Sequence, residues 1–239
     1  MTQKTAFNQF LSNVKNHIYP NRMGKTLHNA RIARQEGKFF KNVSGVIHVG
    51  AHTGEERDFY SRYDLDVLWI EPAPDVFKRL SNNIACYPKQ KAVNYLITDQ
   101  DNSDYDFHLS NNDGNSSSIL GFKKHADIWP EIKMINTIKL KSRTLDSVIA
   151  EVPHRYDALV MDTQGSEMLV LKGAVDTLQS IRLIKTEAAD FEIYEKCTTE
   201  ADLCDYLGKL GFDLVMKTIF ETSRGVGSCF DLIFSRPLG

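Results

Sequence analysis

One stretch constrains this chain more than any other: residues 46–55, which read Val-Ile-His-Val-Gly-Ala-His-Thr-Gly-Glu. An apolar, β-branched start is followed by a glycine, small and polar residues, and a second glycine. This order predicts a buried strand, a tight turn and the start of a helix. Free backbone N–H groups at such a turn would favour a carboxylate or phosphate ligand. We therefore expect the rest of the chain to form a sheet around this loop.

Further strand and helix patterns alternate along the chain. Strands are predicted at residues 45–49, 66–71, 92–98, 105–109, 138–142, 156–162, 181–185, 212–215 and 230–234. Helices are predicted at residues 55–62, 75–84, 144–147, 166–172 and 200–210. Alternation of this kind indicates an α/β fold with a mostly parallel sheet and helices on both faces. The last two strands have no helix between them, so they are expected to form an antiparallel hairpin.

The N-terminal segment differs from the rest in charge. Helical spacing is visible at residues 5–18 and 23–36, which predicts a helical lid over residues 1–43 before a domain at 44–239. Against a net charge of −2 for the whole chain, this segment is basic. The excess charge is typical of a solvated face, or of a surface for an anionic substrate or polymer. Aromatic residues are few among these charges, which argues against nucleic-acid binding.

Composition adds weaker constraints. With 42% hydrophobic and 25% charged residues, the chain has the make-up of an ordinary soluble globular protein. Its four cysteines form no C-x-x-C pair or zinc spacing, which predicts reduced thiols and a cytoplasmic location. The N-terminus lacks the apolar core of a signal peptide, and no apolar run is long enough to cross a bilayer, so no membrane association is expected.

The predicted strand ends carry the candidate binding residues. In an open parallel sheet, ligands bind beyond the carboxyl ends of the strands. The loop of residues 50–54 follows the first strand, and Glu71 ends the second, 21 positions after Gly50. That interval suits an adenosine site in which the acid accepts hydrogen bonds from both ribose hydroxyls. Asp99, Asp162 and Glu187 end later strands in the same way.

The glycine loop narrows the adenosine ligand. A dinucleotide fingerprint needs a glycine where His52 stands, because a side chain there crowds the pyrophosphate. A P-loop pattern is absent from the sequence. S-adenosylmethionine has one carboxylate and no pyrophosphate, so it fits the loop better. Two alternatives stay open: a nicotinamide or nucleotide-sugar enzyme, and a non-catalytic module that keeps the fold as a scaffold.

Other polar residues are weaker candidates. Asp162 ends a buried apolar strand, where an acid without a partner is costly, so a functional role is expected. Asp99 lies in a turn-rich run and could be a turn residue only. Ser117 lies in the long polar loop 110–118, where a serine either bonds the loop or contacts a ligand. The histidines His17, His28, His108, His125 and His154 show no ligand spacing. Asp162 and Glu167 lack a third ligand, so no metal is predicted.

Several blocks carry a family resemblance. They are residues 46–55, 69–72, 142–146, 162–167 and 170–174, with a tail from Glu187 to Phe212. Over roughly residues 44–235, the sequence resembles the FkbM-type S-adenosylmethionine-dependent methyltransferases. The resemblance implies a class I methyltransferase fold, with seven strands and an antiparallel last strand. It also implies methyl transfer, usually to a hydroxyl oxygen of a sugar, glycan or polyketide.

The resemblance assigns roles by position. Glu71 would hold the ribose, Asp99 the adenine amino group, and Asp162 and Gln164 would lie near the transferred methyl. The methionine end of the cofactor would lie on the glycine loop, formed by Gly50, Ala51, His52, Thr53 and Gly54. The sequence departs from the family pattern at His48, where an acid is common, at His52, where Asn is common, and at Gln164, where many members have Glu.

The expected chemistry is an in-line displacement at the sulfonium methyl group. Orientation of the nucleophile supplies much of the acceleration. A base is still useful, because a neutral alcohol is a poor nucleophile. Asp162 is the first candidate for this base, Glu187 the second and His52 a third. The expected partner is a small-molecule or glycan acceptor.

Overall fold

The computed structural model describes residues 34–152 and 154–237. Residues 34–40 are helical and lead into the sheet. The helix predicted at 5–18, and most of the one predicted at 23–36, lie outside the described residues. The lid over residues 1–43 therefore stays a prediction.

Seven strands form the main sheet, in the order β3-β2-β1-β7-β8-β10-β9. The strands in chain order are β1 Gly45–Val49, β2 Asp66–Ile70, β3 Gln90–Val93, β4 Leu96–Ile97, β5 Asp104–Ser110, β6 Met134–Arg143, β7 Ala158–Met161, β8 Leu183–Ala189, β9 Asp213–Ser223 and β10 Gly227–Ser235. Strands β3, β2, β1, β7 and β8 run parallel, whereas β10 pairs antiparallel with both β8 and β9. The predicted α/β fold with an antiparallel last strand is confirmed.

Helices connect the strands. They are α1 Arg57–Arg62, α2 Pro74–Ile84, α3 His125–Ile128, α4 Leu145–Glu151, α5 Glu167–Lys172, α6 Thr177–Ser180 and α7 Glu200–Lys209. Local sequence explains their starts: Pro74 occupies the first turn of α2, and Thr199 with Asp202 forms a capping box on α7. None of the helices in the described part of the chain is long and apolar enough to cross a bilayer.

Both faces of the main sheet are buried. Ile47 on one face of β1 and Val46 on the other are fully inaccessible to solvent. Each face packs in its own apolar cluster, because successive side chains of a strand point to opposite faces. The sheet is therefore rigid on both sides, and its carboxyl edge is left to carry the functional groups.

The prediction of one continuous strand at residues 92–98 is wrong, because the chain passes from one sheet to another within this range. β3 pairs with β2 in the main sheet, whereas β4 pairs with β6 in a second, three-stranded sheet of order β4-β6-β5. At the break, the Asn94 amide donates to the carbonyl oxygens of Glu71 and Pro72, at 2.7 and 3.0 Å. The side chain bonds backbone groups that a continuing strand would have paired with.

The predicted end of the fifth core strand is also wrong. β8 continues to Ala189, so Glu187 lies inside the strand rather than after it. The reason is that β10 pairs with β8 from Leu183 to Ala189, whereas β7 pairs with it only as far as Thr186. Glu187 therefore still lies just beyond the end of β7, at the carboxyl edge of the parallel part of the sheet.

Asp157 fixes the opposite edge, where β1, β7 and β8 begin. Its carboxylate accepts hydrogen bonds from Ser44 N, Gly45 N and the Arg182 guanidinium, at 2.8, 3.3 and 2.6 Å. Burial alone would raise the pKa of Asp157, but these donors outweigh it and the pKa is lowered. The carboxylate therefore stays charged and ties three chain segments together.

We expect Asp157→Ala to lower the free energy of unfolding by about 3 kcal/mol, because Arg182 and the backbone donors lose their partner. Urea unfolding of the variant and the parent measures this. Asp213→Asn, which changes an exposed acid at the start of β9, is the control and should change it little. A loss equal to that of the control would contradict the role given to Asp157.

Candidate active site

Three adjoining cavities open at the carboxyl edge of the parallel strands. The first lies beyond β1, β2 and β4, and the other two lie towards β8. Asp162 and Asn115 line all three. The predicted position of the site, beyond the strand ends, is where these cavities lie.

The turn after β1 depends on Gly50. Its φ angle is +78°, and a Cβ atom on Gly50 would lie 1.9 Å from the Asp162 carbonyl oxygen. Only glycine permits this approach of the two strand ends. Two N–H groups of this turn are not free, contrary to expectation, since Gly50 N and Ala51 N both donate to the Ile70 carbonyl oxygen, at 3.0 and 3.1 Å. These two groups bond the turn to the end of β2 and are not available to an anion.

Glu71 accepts the next N–H group of this turn. Its Oε2 accepts from His52 N and its Oε1 from Ala73 N, each at 2.9 Å. The side chain is 5% exposed and lines the first cavity. Burial raises the pKa of Glu71 to about 7, although both N–H donors act to lower it. Each carboxylate oxygen keeps a second lone pair, so Glu71 can also accept hydrogen bonds from a ligand's hydroxyl groups.

His52 connects the glycine loop to the polar loop 110–118. It has a φ angle of +45°, and its Nε2 lies 3.0 Å from the Asp113 carbonyl oxygen. Arg79 on α2 holds the same residue through a 2.7 Å ion pair with the Asp113 carboxylate. The loop therefore covers the first cavity, whose enclosed volume is about 60 Å³. This volume is below the about 300–1000 Å³ of small-molecule sites, so we expect the loop to shift when an adenosine-sized ligand binds.

The apolar wall of the first cavity was missed from the sequence. It consists of Tyr95, Leu96, Ile97, Phe107 and Ile119. These residues belong to the second sheet, or lie beside it. No local pattern marks them as ligand contacts, since each has the apolar character of a core residue. An apolar slot beside a carboxyl group is suited to a nucleobase next to a ribose.

The other predicted cofactor residues occupy different positions. Ser117 lines the first cavity, and its Oγ accepts from Ser110 N at 3.1 Å. Thr53 and Gly54 line none of the three cavities: Thr53 O accepts from the Asn83 amide, and Gly54 packs against Leu80. Asp99 also lines none of them. Its Cα is 3.3 Å from the position that a Cβ atom would take on Gly173, so it lies against the turn after α5.

Asp162 lies where the cavities meet, and two residues hold its side chain. The Gln164 amide donates to Asp162 Oδ1 at 2.5 Å, and the Tyr194 hydroxyl donates to Gln164 Oε1 at 2.5 Å. Burial raises the pKa of Asp162 to about 7, against the opposing effect of the Gln164 hydrogen bond. Burial and the nearby Asp162 raise the pKa of Glu187 well above its usual range. A carboxyl group with a pKa near neutrality, held in one orientation, is suited to proton transfer.

The second cavity has a volume of about 290 Å³. Asp162, Gln164 and Asn115 line it together with the first cavity, whereas Glu167 and Glu187 line the second and not the first. Aromatic and heteroaromatic side chains form much of its wall; these are His125, Trp129, Tyr194 and Phe220. His125 is one of the histidines without ligand spacing, so the sequence did not single it out; it is 2% exposed and stacks on Phe122 at 4.0 Å between ring centroids.

The third cavity, of about 100 Å³, lies on the other face of the sheet edge and contains polar groups. His48 and Lys185 line it, and Lys185 pairs with Glu36 at 3.1 Å. Burial, helped by Lys185, lowers the pKa of His48 to about 3, so the imidazole is neutral. Its Nδ1 lies 3.1 Å from the Tyr60 hydroxyl, and its ring stacks on Trp69. His48 is thus part of the packing behind the glycine loop.

No group of three or more His, Cys, Asp or Glu side chains in the described ranges is arranged to hold a metal ion. Asp162 and Glu167, the pair noted in the sequence, instead line a cavity together.

A seven-stranded sheet with an antiparallel last strand, a glycine turn after β1 and an acid after β2 define the fold of class I S-adenosylmethionine-dependent methyltransferases. Comparison with known families agrees, since the methyltransferase FkbM domain matches residues 48–214. The chain belongs to the FkbM methyltransferase family. No curated protein matches its sequence.

Solved structures share the fold at low sequence identity. A putative RNA methyltransferase, PH1948 from Pyrococcus horikoshii, is 12% identical, with a TM-score of 0.50 over 100% of this chain and 98% of that one. TrmK of M. capricolum in complex with S-adenosylhomocysteine is 7% identical, with a TM-score of 0.50 over 86% of this chain and 67% of that one. The N-terminal domain of EvdMO1, in the presence of S-adenosylhomocysteine and D-fucose, is 10% identical, with a TM-score of 0.50 over 100% and 98%.

The protein is therefore a methyltransferase whose cofactor is S-adenosylmethionine. The groups around the first cavity fit this cofactor chemically: a carboxyl group that can accept ribose hydroxyls, an apolar slot for a base, and a turn in which Gly50 N, Ala51 N and His52 N already donate to protein acceptors. The alternatives of a nicotinamide enzyme and a non-catalytic module find no support in the comparisons.

Proposed function

We propose that this methyltransferase acts on a hydroxyl oxygen of a sugar, a glycan or another small metabolite. The observation that supports this most is the position of Asp162. Its carboxyl group lines the first cavity, which suits the cofactor, and also the larger second cavity, which would admit the acceptor. A carboxyl group at that junction is suited to remove a proton from an acceptor hydroxyl.

The proposed cofactor contacts follow from the first cavity. Glu71 would accept hydrogen bonds from the ribose hydroxyls, and Ile97 and Phe107 would pack against the adenine ring. Ser117 and His52 line the same space and would contact the ligand from the covering loop and the glycine turn. Asp99, which lines none of the cavities, is the least supported of the predicted contacts.

The bound cofactor supplies a methyl group already activated on a sulfonium sulfur. In the proposed reaction, Asp162 accepts the hydroxyl proton while the new carbon–oxygen bond forms. The acceptor oxygen would take the methyl group, and the electron pair of the broken carbon–sulfur bond would leave with S-adenosylhomocysteine. Gln164 and Tyr194 hold the Asp162 carboxylate in place through their two hydrogen bonds. Glu187 is the second candidate for the base, because it lines the same cavity.

Labelled cofactor tests this proposal. The purified protein is incubated with pools of sugars, glycans and small alcohols, and labelled products are then treated with mild base. A methyl ether survives that treatment, whereas a methyl ester releases methanol. Base-stable products whose methyl group is on oxygen are expected. Label found only in esters or on nitrogen would overturn the assignment of a hydroxyl acceptor.

The four cysteines are free in the structure. This supports the predicted reducing, cytoplasmic environment, since structural disulfides mark oxidising compartments.

A further inference from the structure

The second cavity has an unusual charge. Four carboxyl groups line it, from Asp162, Glu167, Glu187 and Glu221, and its lining in the described part of the chain includes neither lysine nor arginine. His125 adds no positive charge, because burial lowers its pKa to about 4. Burial raises the pKa values of Asp162, Glu167 and Glu187, because no cation of the described residues lies among them. A cationic group placed in this cavity would favour their ionised forms, whereas an anionic acceptor would not.

The nearest lysine does not change this balance. Lys185 lines the third cavity rather than the second, and its ammonium group pairs with Glu36. The positive charge on the cofactor's sulfonium group would lie at the first cavity, so it would not neutralise the acids that line only the second cavity. Of the four acids, only Asp162 lines the cofactor cavity as well, whereas Glu167 and Glu221 line the second cavity alone.

Glu167 gives the second, independent indication of a ligand. The side chain is 2% exposed, and its Oε1 accepts from Thr163 N, Thr163 Oγ1 and Gly165 N, at 3.1, 3.0 and 3.1 Å. Its Oε2 has no hydrogen-bond partner. A structural role at the start of α5 explains the bonds to Oε1 but leaves Oε2 buried without a donor, which native structures avoid.

Aromatic and heteroaromatic rings line the same cavity as these acids. The rings of His125 and Trp129 lie 4.9 Å apart between centroids, and those of His125 and Tyr194 lie 5.5 Å apart. Phe220 completes this aromatic wall. The faces of such rings attract cations, most strongly where water is excluded. Carboxyl groups and aromatic rings in one cavity form a surface that suits an ammonium group.

We propose that the acceptor carries a protonated amine, and that Glu167 and Glu187 bind this ammonium group against the aromatic wall. The proposal rests on the proposed function, because it takes the second cavity as the acceptor site. A neutral polyol would offer hydroxyl donors to Glu167 Oε2, but it would bring no cation to the crowded carboxyl groups. An amino sugar or another amino alcohol meets both requirements. The cavity volume of about 290 Å³ suits a compact group of that kind.

Tryptophan fluorescence tests this directly, because the chain has two tryptophans and only one lines the cavity. Trp69 is fully buried in the core, so changes on ligand binding report Trp129. The protein saturated with S-adenosylhomocysteine is titrated with two matched series. One consists of ethanolamine, ethylene glycol and glycolate, and the other of glucosamine, glucose and glucuronate. Trp129→Phe should abolish the signal.

The amine of at least one series is expected to bind about tenfold or more tightly than its neutral counterpart, with the carboxylate weakest. Glu167→Gln and Glu187→Gln should each reduce this preference. Glu151→Gln, which changes an exposed acid at the end of α4, should not. Equal or weaker binding of the amine in both series overturns the proposal, as does a preference that survives both cavity variants.

The design separates this proposal from the one on which it rests. Binding of S-adenosylhomocysteine is measured in the same samples by calorimetry, before any acceptor is added. Methyl transfer to neutral alcohols without an amine preference would keep the hydroxyl acceptor and remove only the ammonium site. Loss of cofactor binding, by contrast, would count against the cofactor cavity.

Discussion

Replacing Asp162 with Asn is expected to lower the rate of methyl transfer by about 10²–10⁴-fold, the contribution usual for a general base. The amide cannot accept the hydroxyl proton, but it keeps the shape of the carboxyl group. The Gln164 amide can still donate to its oxygen, so the geometry at the end of β7 should persist. Turnover with an identified acceptor measures the effect, and circular dichroism checks folding.

The raised pKa of Asp162 also predicts the direction in which kcat/KM changes with pH. Burial raises the pKa of Asp162 to about 7, so the carboxyl group is protonated below that pH and cannot act as a base. We therefore expect kcat/KM to rise with pH up to about 7 and then to level off, since this ratio reports groups of the free enzyme. The Asp162→Asn variant should lose that rise.

Glu187→Gln provides the comparison. If Glu187 only binds the acceptor, its variant should raise KM more than it lowers kcat. A loss of kcat in Glu187→Gln as large as expected for Asp162→Asn, with Asp162→Asn near normal, would move the role of the base to Glu187.

The second large effect is expected at Glu71. Glu71→Gln should raise the Kd for S-adenosylhomocysteine by about 10–150-fold, which corresponds to losing one charged hydrogen bond worth about 1.5–3 kcal/mol. The amide keeps one oxygen for His52 N or Ala73 N, but its NH₂ group then faces the other donor. Calorimetric titration measures the change. Asp75→Asn, an exposed acid four residues away in α2, is the matched control.

The affinity of the parent protein should also depend on pH. Because burial raises the pKa of Glu71 to about 7, the acceptor form of the carboxyl group is present mainly above that pH. The Kd should therefore fall as pH rises towards 7 and change little beyond it. Glu71→Gln should weaken this dependence. An unchanged Kd in the variant would mean that Glu71 only ties the glycine loop to α2.

Local patterns in the sequence were sufficient to predict the central strands of the main sheet. The nearly continuous apolar runs of β1, β2 and β7 predicted their positions within one or two residues, because strands buried on both faces are apolar along most of their length. The positions of Gly50 and Glu71 at consecutive strand ends predicted the cofactor, since parallel strands bring their carboxyl ends to one edge. The fold and cofactor are confirmed, whereas the roles of individual site residues stay predictions.

Tertiary pairing overrode local pattern at several strands, and β9, predicted at residues 212–215, runs to Ser223 because it pairs with β10 along its length. The run at residues 92–98 has strand propensity throughout, but Asn94 bonds the backbone after β2 and the chain leaves the main sheet. β8 extends past its predicted end because β10 pairs with it to Ala189. In the last two cases the pairing partner is not near in sequence, so neither change could be read from the residues concerned.

By itself, the sequence determined the class of protein. The stretch at residues 46–55 predicts a strand and a glycine turn, and Glu71 places an acid at the end of the next strand. Few folds satisfy these local constraints. Only the tertiary structure decided what surrounds that turn. It showed that Gly50 N and Ala51 N are bonded to Ile70 and His52 N to Glu71, and that the second sheet supplies the apolar wall. It also showed that acids from β8, β9, α5 and the residue after β7 share one cavity. Burial, pairing and charge crowding arise from residues far apart in the chain, and local sequence does not record them.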